Sequence, residues 1–206
     1  MKYEDAYKST LNVYRKMGRG YLESVKDLTP EQLYDFLDQV VPGGKVLDIG
    51  CAGGRDAKAM TEKGFEVVGI DVVDEFLEEA KKFVPEAKFL NMDLLKLDFP
   101  EESFDGILAS AVLLHISKED IPRALGNFYR ALKPGGKIFS MVKLGEGSTY
   151  ATDKLSSEKR LMVLFTKKEF RDFFEEAGFE IKKIVIVPDD AGREDVKWIR
   201  LIAGKR

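Results

Sequence analysis

The chain has 206 residues, 44% of them apolar, and a formal net charge of -3, the profile of a globular unit large enough for one substantial core. A single cysteine excludes an internal disulfide and a multi-cysteine zinc site, and the lack of a basic excess makes nucleic acid a disfavoured partner. The polar start Met1-Lys2-Tyr3-Glu4-Asp5 is not a secretory signal, and no apolar run approaches the roughly 20 residues that span a bilayer, so a cytoplasmic chain with no membrane partner is expected.

No repeat, low-complexity stretch or Pro/Ser linker divides the sequence, so residues 1–206 read as one domain: an N-terminal helical lid over 1–43 and a core over 44–206. The first helix is expected from about residue 3 to 17, ended by Gly18 and Gly20. A capping box, Thr29 with Gln32 and with Pro30 at the first helical position, predicts the next helix, which carries the apolar stripe Leu33, Phe36, Leu37 and Val40. Pro42-Gly43-Gly44 stops it. Strand and helix then alternate. Strand 45–49 leads to helix 56–63, and strand 65–71 to a helix capped by Asp74. Strand 87–91 is followed by strand 104–110, apolar on both faces as buried parallel strands are. Ser117 opens a helix reaching Leu132, Lys133-Pro134-Gly135-Gly136 is a turn, and 138–142 is the fifth strand. Thr166 and Glu169 form a second capping box, whose helix Gly178 ends. Strands 179–187 and 196–203 come last.

This alternation predicts the α/β class, a Rossmann-like doubly wound sheet. Between the final two strands the connection is too short for a parallel crossover, which needs about a dozen residues. The expected sheet is therefore seven-stranded and mostly parallel, with the last strand antiparallel.

Ligands of such sheets bind beyond the carboxyl ends of the strands, and four of those ends carry suggestive residues. The first strand, Lys45-Val46-Leu47-Asp48-Ile49, runs into Gly50-Cys51-Ala52-Gly53-Gly54-Arg55. This turn of small residues brings bare backbone and a helix N-terminus to a ligand. The dinucleotide fingerprint G-x-G-x-x-G counted from Gly50 fails at Ala52 and Arg55. Asp71 closes the second strand about 20 residues on, the place for a carboxylate that accepts from two ribose hydroxyls. Met92-Asp93-Leu94 follows the third strand, where an acid accepts from an adenine amine between apolar neighbours. Ser110 to Ile116, containing Leu113-Leu114-His115, follows the fourth.

In order and spacing across Lys45–Val142 these segments, with the Leu132-Lys133-Pro134-Gly135-Gly136 turn, resemble the motifs of the class I S-adenosylmethionine (SAM)-dependent methyltransferases. The similarity is to the small bacterial and archaeal methyltransferase type 11-like group. The pattern D-x-G-x-G-x-G fits Asp48, Gly50 and Gly54, with Ala52 at its middle glycine. The resemblance implies that SAM is bound by Asp48, Gly50, Cys51, Ala52, Gly53, Arg55, Asp71, Val72, Met92, Asp93, Leu94 and Ser110, with S-adenosylhomocysteine as product. Arg55 has two readings, a contact to the amino-acid carboxylate of SAM or a surface arginine.

Methyl transfer from a sulfonium is an in-line displacement that needs approach and orientation, so no metal is expected and Cys51 reads as a packing residue. His115, the only histidine, suits removal of a proton from an acceptor, or else completes the apolar packing of its turn. The acceptor is expected under the N-terminal helices and segment 143–165, in which 145–150 reads as a mobile loop. Tyr3, Tyr7 and Tyr14 recur at helical spacing, as a stripe that packs the lid or as a binding face. Tyr7 and Arg160 are the candidate acceptor contacts. The expected function is methylation of a small molecule by a monomer or homodimer. The alternatives are an RNA or protein methyltransferase, a non-catalytic SAM-binding module and a nicotinamide-dependent oxidoreductase.

Overall fold

A computed structural model describes residues 3–26, 28, 31–153 and 156–206. In chain order the elements are α1 (Tyr3–Val25), α2 (Glu31–Leu37), β1 (Lys45–Ile49), α3 (Arg55–Glu62), β2 (Glu66–Asp71), α4 (Asp74–Phe83), β3 (Lys88–Asn91), β4 (Phe104–Ser110), α5 (Ile121–Ala131), β5 (Leu132–Lys143), β6 (Ser148–Asp153), β7 (Ser156–Val163), α6 (Lys167–Glu176), β8 (Glu180–Pro188) and β9 (Lys197–Gly204). Seven strands form one sheet in the order β3-β2-β1-β4-β5-β9-β8, and β6 pairs with β7 in a separate hairpin. β9 runs antiparallel to both its neighbours, and the other pairings in the large sheet are parallel. The fold is the α/β, Rossmann-like one that the spacing predicts.

Strand order reverses between β1 and β4, because the chain winds outward through β2 and β3 on one side and β5 on the other. The crevice of a doubly wound sheet opens at such a switch point. Val46, Leu47 and Ile49 of β1 and Ile107, Leu108 and Ala109 of β4 are buried, so the strands flanking the crevice lie at the centre of the core. Phe36 of α2 meets Phe139 of β5 at a tilt, with ring centres 6.2 Å apart. Phe128 of α5 and Phe170 and Phe174 of α6 are fully buried.

Several elements differ from expectation, each for a local reason. α1 continues past Gly18, whose φ of 49° and ψ of -133° break the helix geometry without ending it. Residues beyond the break stay helical because Tyr21 stacks on Phe76 of α4 at 5.7 Å and Leu22 lies on the turn after β1. The expected cap Thr29-Pro30 lies outside the described residues. Asp74 does not cap α4. Its cap position is Val73, the Val73 N–H donates to Asp71 Oδ1 at 3.0 Å, and Asp74 instead accepts from Asn91 at 2.6 Å. Ser117 caps a 3-10 turn, Lys118–Asp120, and α5 starts after it. Residues 133–136 bulge out of β5, which already pairs with β4 at Leu132. The Thr166–Glu169 capping box is formed. Residues 148–150, expected in a mobile loop, are the start of β6, and pairing with β7 orders them.

Candidate functional site

A cavity of about 800 Å³ lies at the carboxyl ends of β1, β2, β4 and β5, walled by α1, by β7 and by the turn between β8 and β9. Of the residues expected at the site, Gly50, Cys51, Ala52, Gly53, Arg55, Asp71, Val72, Met92, Leu94, Ser110, His115, Tyr7 and Arg160 all line it. Asp48 and Asp93 do not.

The turn after β1 is shaped by backbone demands. Gly50 has a φ of 71°, and a Cβ there would sit 2.8 Å from Val112 Cγ2, so only glycine leaves this wall open. Ala52 stands at φ 45°, in the small left-handed region where an alanine is strained. A Cβ on Gly53 would meet Leu22 of α1 at 2.9 Å, so the helix lies directly on the bare turn. Cys51 is buried and burial pushes its thiol upward, which suits packing and opposes a thiolate.

Asp71 ties this turn to the start of α4. Its Oδ2 accepts from Ala52 N at 3.0 Å and its Oδ1 from Val73 N at 3.0 Å. Burial raises its pKa, and the backbone N–H groups of Ala52, Val73 and Val72 oppose that rise. Asp48 sits within β1, 2% exposed, and its Oδ2 has no hydrogen-bond partner among the described residues. Burial, and next the nearby Asp56 carboxylate, raise its pKa well above the usual carboxylate range. Arg55, the candidate for a ligand carboxylate, is held from within the protein. It donates to both oxygens of Asp56 at 2.8 and 2.6 Å and to Val25 O at the end of α1 at 3.1 Å.

Asp93 lies between two residues that line the cavity. Its Oδ1 accepts from Leu95 N at 2.9 Å and caps the 3-10 turn Leu94–Lys96. The lysine of the Leu132–Gly136 bulge meets the aspartate of β4: Lys133 Nζ lies 2.8 and 2.9 Å from the two oxygens of Asp105. Asp105 also accepts from Lys45 N at 2.9 Å. These two motif residues therefore brace the sheet and do not touch the cavity.

Across the crevice, α1, the turn after β4 and β7 converge. Leu113, Leu114 and Ile116 are buried, which turns His115 toward the cavity. Tyr14 Oη lies 2.9 Å from His115 Nε2, and the rings meet edge to face at 5.3 Å. The Arg160 guanidinium sits 4.7 Å from the Tyr14 ring centre and 5.9 Å from that of Tyr21. Arg160 is 7% exposed, a buried cation at the cavity and no solvated surface charge. Thr10 of α1 accepts from Leu161 N at 3.1 Å. Burial, and then the Arg160 charge, lower the His115 pKa to about 3, so the imidazole is neutral near pH 7. Burial pushes the Tyr7 and Tyr14 hydroxyls up.

Residues that the sequence reading did not single out complete the wall: Tyr21, Lys143, Asp189, Arg193 and Trp198. Tyr21 is one heptad beyond Tyr14, a signal that Gly18 and Gly20 obscured. Lys143 ends β5, and the strand-end rule applied to that strand finds it. Its ammonium lies 5.7 Å from the Trp198 ring centre. Burial, followed by the charges of Arg193 and Arg160, lowers its pKa to about 8 against the opposing pull of Asp189. Tyr3's side chain lies outside the described residues.

Residues 46–136 match the family model described as "Methyltransferase domain". The seven-stranded topology, with the glycine turn at its switch point, is likewise a fold that SAM-dependent methyltransferases share. The chain is 32% identical over 182 residues to phosphoethanolamine N-methyltransferase 3 of Arabidopsis thaliana, a match covering 84% of this chain and 36% of that one. It spans about a quarter to a half of the length of such curated relatives. The fold is shared with a SAM-dependent methyltransferase of Methanosarcina mazei, with a TM-score of 0.75, 22% identity and coverage of 86% and 98% of the two chains. It is also shared with the 1,6-didemethyltoxoflavin-N1-methyltransferase of Burkholderia thailandensis, solved with that acceptor and S-adenosylhomocysteine bound. There the TM-score is 0.79 at 20% identity, over 98% of this chain and 88% of that one.

Proposed function

We propose that this chain is an enzyme that transfers a methyl group from SAM to a small acceptor carrying a phosphate or carboxylate. The observation that carries this reading is the lining of one cavity, which joins the bare Gly50–Gly53 turn and Asp71 to the Tyr14–His115 pair and to the cations Lys143, Arg160 and Arg193, the last of them paired to Asp189.

The residues present fit the cofactor. The turn at Gly50 leaves room that a Cβ would fill, and the half-buried Asp71 stands at the adjoining strand end. In this assignment Asp71 accepts from the ribose hydroxyls, and Val72, Met92 and Leu94 flank the adenine. Asp93 caps the 3-10 turn that carries Leu94 and so holds this wall in place. Ser110 and the turn residues bound the amino-acid end, near the Arg55–Asp56 pair. Asp48 acts from behind the turn. When bound, SAM supplies an activated methyl on a sulfonium, open to in-line attack.

The remaining work falls to the protein. Tyr7, Tyr14 and the β6–β7 hairpin close over the acceptor and exclude water. Lys143 and Arg160 hold its anionic group, which orients the nucleophile. Tyr14 Oη fixes the ring before the acceptor enters; the acceptor displaces it from Nε2, where neutral His115 then receives the acceptor's proton. Burial is the main cause of the low His115 pKa, and an anion beside Arg160 offsets the second cause, the Arg160 charge, which strengthens His115 as a base. Residues 1–43 and 143–165 are thus assigned as lid and acceptor segment of one domain.

Phosphoethanolamine fits this pattern and is the first acceptor to test, with ethanolamine as the uncharged-tail control. S-adenosylhomocysteine formation on phosphoethanolamine but not on ethanolamine is expected. Formation on neither, nor on any phosphate- or carboxylate-bearing acceptor of a panel, while SAM still binds in a calorimeter, supports instead a SAM-binding module without transferase activity. A nicotinamide enzyme is disfavoured because Ala52 and Arg55 stand where the dinucleotide turn needs glycine.

A further inference from the structure

The turn between β8 and β9 is built around one buried carboxylate. Asp189 accepts five hydrogen bonds. Oδ2 takes Ala191 N at 3.1 Å, Arg193 N at 3.2 Å and Arg193 Nε at 2.8 Å, while Oδ1 takes Arg193 Nη2 at 2.7 Å and Trp198 Nε1 at 2.7 Å. Its side chain is 2% exposed. Closing an eight-residue turn does not need so many donors, and three of them come from the side chains of Arg193 and Trp198, which line the cavity. Trp198 in turn is the β9 partner of Lys143 in the sheet register, and its ring faces the Lys143 ammonium at 5.7 Å. Asp189 thus stands one residue behind the cation assigned to the acceptor.

We infer that Asp189 is a positioning residue for acceptor recognition. It orders Arg193 and Trp198 into a fixed wall and balances the Arg193 charge, so that Lys143 is presented to the acceptor's anionic group. The inference rests on the anionic-acceptor reading above. The charged and titratable groups facing Lys143 are Arg193 and Asp189 of this turn, Arg160 of β7 and, from the turn after β4, the neutral His115. Removing the Asp189 charge leaves two arginines to repel the Lys143 proton. Removing the Arg193 charge leaves Asp189 to retain it.

Trp198 is the only tryptophan, so its fluorescence reports this wall directly. The experiment titrates the S-adenosylhomocysteine-saturated full chain with inorganic phosphate and with phosphoethanolamine across pH. Wild type is expected to bind, with affinity falling above about pH 8 as Lys143 loses its proton. Asp189→Asn is expected to weaken phosphate binding about tenfold or more and to move that alkaline limb to lower pH, with S-adenosylhomocysteine affinity unchanged within about twofold. Arg193→Gln is expected to move the limb to higher pH, and it serves as the test if Asp189→Asn fails to fold. Affinity within about twofold of wild type and an unmoved limb in both variants overturn the inference, because a turn staple alone shifts neither. A wild type that binds neither anion at any pH overturns the anionic-acceptor reading, and this inference with it.

Discussion

Tyr14 Oη and His115 Nε2, 101 residues apart in sequence, lie 2.9 Å apart across the mouth of the crevice. One bond joins the N-terminal helix to the turn after β4. His115→Ala is expected to lower kcat about 100-fold or more while SAM affinity, measured by calorimetry, stays near wild type. Tyr14→Phe keeps the ring contacts and loses the hydroxyl, so a smaller drop is expected. Near-normal turnover of His115→Ala on an identified acceptor removes the base assignment.

The same histidine makes stability depend on pH. Its folded pKa, about 3, lies below the ordinary 6.5, so between these values the unfolded chain binds the proton more readily. Unfolding free energy therefore falls as pH drops below about 6.5. His115→Asn is expected to flatten the part of this slope that comes from His115, as read by urea melts of both proteins across that range.

Asp71 holds the glycine turn and the start of α4 with one oxygen each. Asp71→Ala is expected to weaken S-adenosylhomocysteine binding about 10- to 100-fold in a calorimetric titration. A loss below about threefold argues against ribose recognition at this residue.

Asp48 opposes folding at neutral pH in its charged form. Its raised pKa means that the native chain keeps a proton which the unfolded chain releases, so its contribution is favourable in acid and is lost as pH rises. Asp48→Asn is expected to gain stability over wild type at about pH 8 and little at about pH 4, as compared by urea denaturation midpoints.

Ala52 adopts a backbone angle that a β-branched side chain resists. Ala52→Val is expected to cost about 1–3 kcal/mol and to weaken cofactor binding through the displaced turn. Ala52→Gly relieves the strain but frees the unfolded chain, and a net change within about 1 kcal/mol is expected. Thermal melts of both variants check this.

The parts of the site that sequence made legible are those fixed by local backbone chemistry. Gly50 at a strand end, Asp71 at the next one, and Met92 and Leu94 at the third follow from strand length and turn chemistry, and the sheet then carries them to one crevice. Asp48 and Asp93 sit at matching motif positions, yet one is sealed behind the turn and the other caps a 3-10 turn. Motif spacing does not say which way a side chain points. The acceptor end was less legible because it is assembled by distant crossings. Thr10 meets Leu161 across 151 residues, and Asp189 serves Trp198 only because β9 turns back along β8. Residues 148–150 fall in the expected loop because Gly145-Glu146-Gly147 mask the strand beginning at Ser148.

The break at Gly18 divides α1 between two allegiances. Beyond it, Arg19 pairs with Glu79 of α4 at 2.8 Å, Leu22 rests on Gly53 and Val25 O receives Arg55. Before it, Thr10 and Tyr14 belong to the hairpin and to His115. On the proposed reading, exchanging residues 3–17 together with 148–163 is expected to change the acceptor end while Arg19, Leu22 and Val25 keep their hold on α4 and the glycine turn.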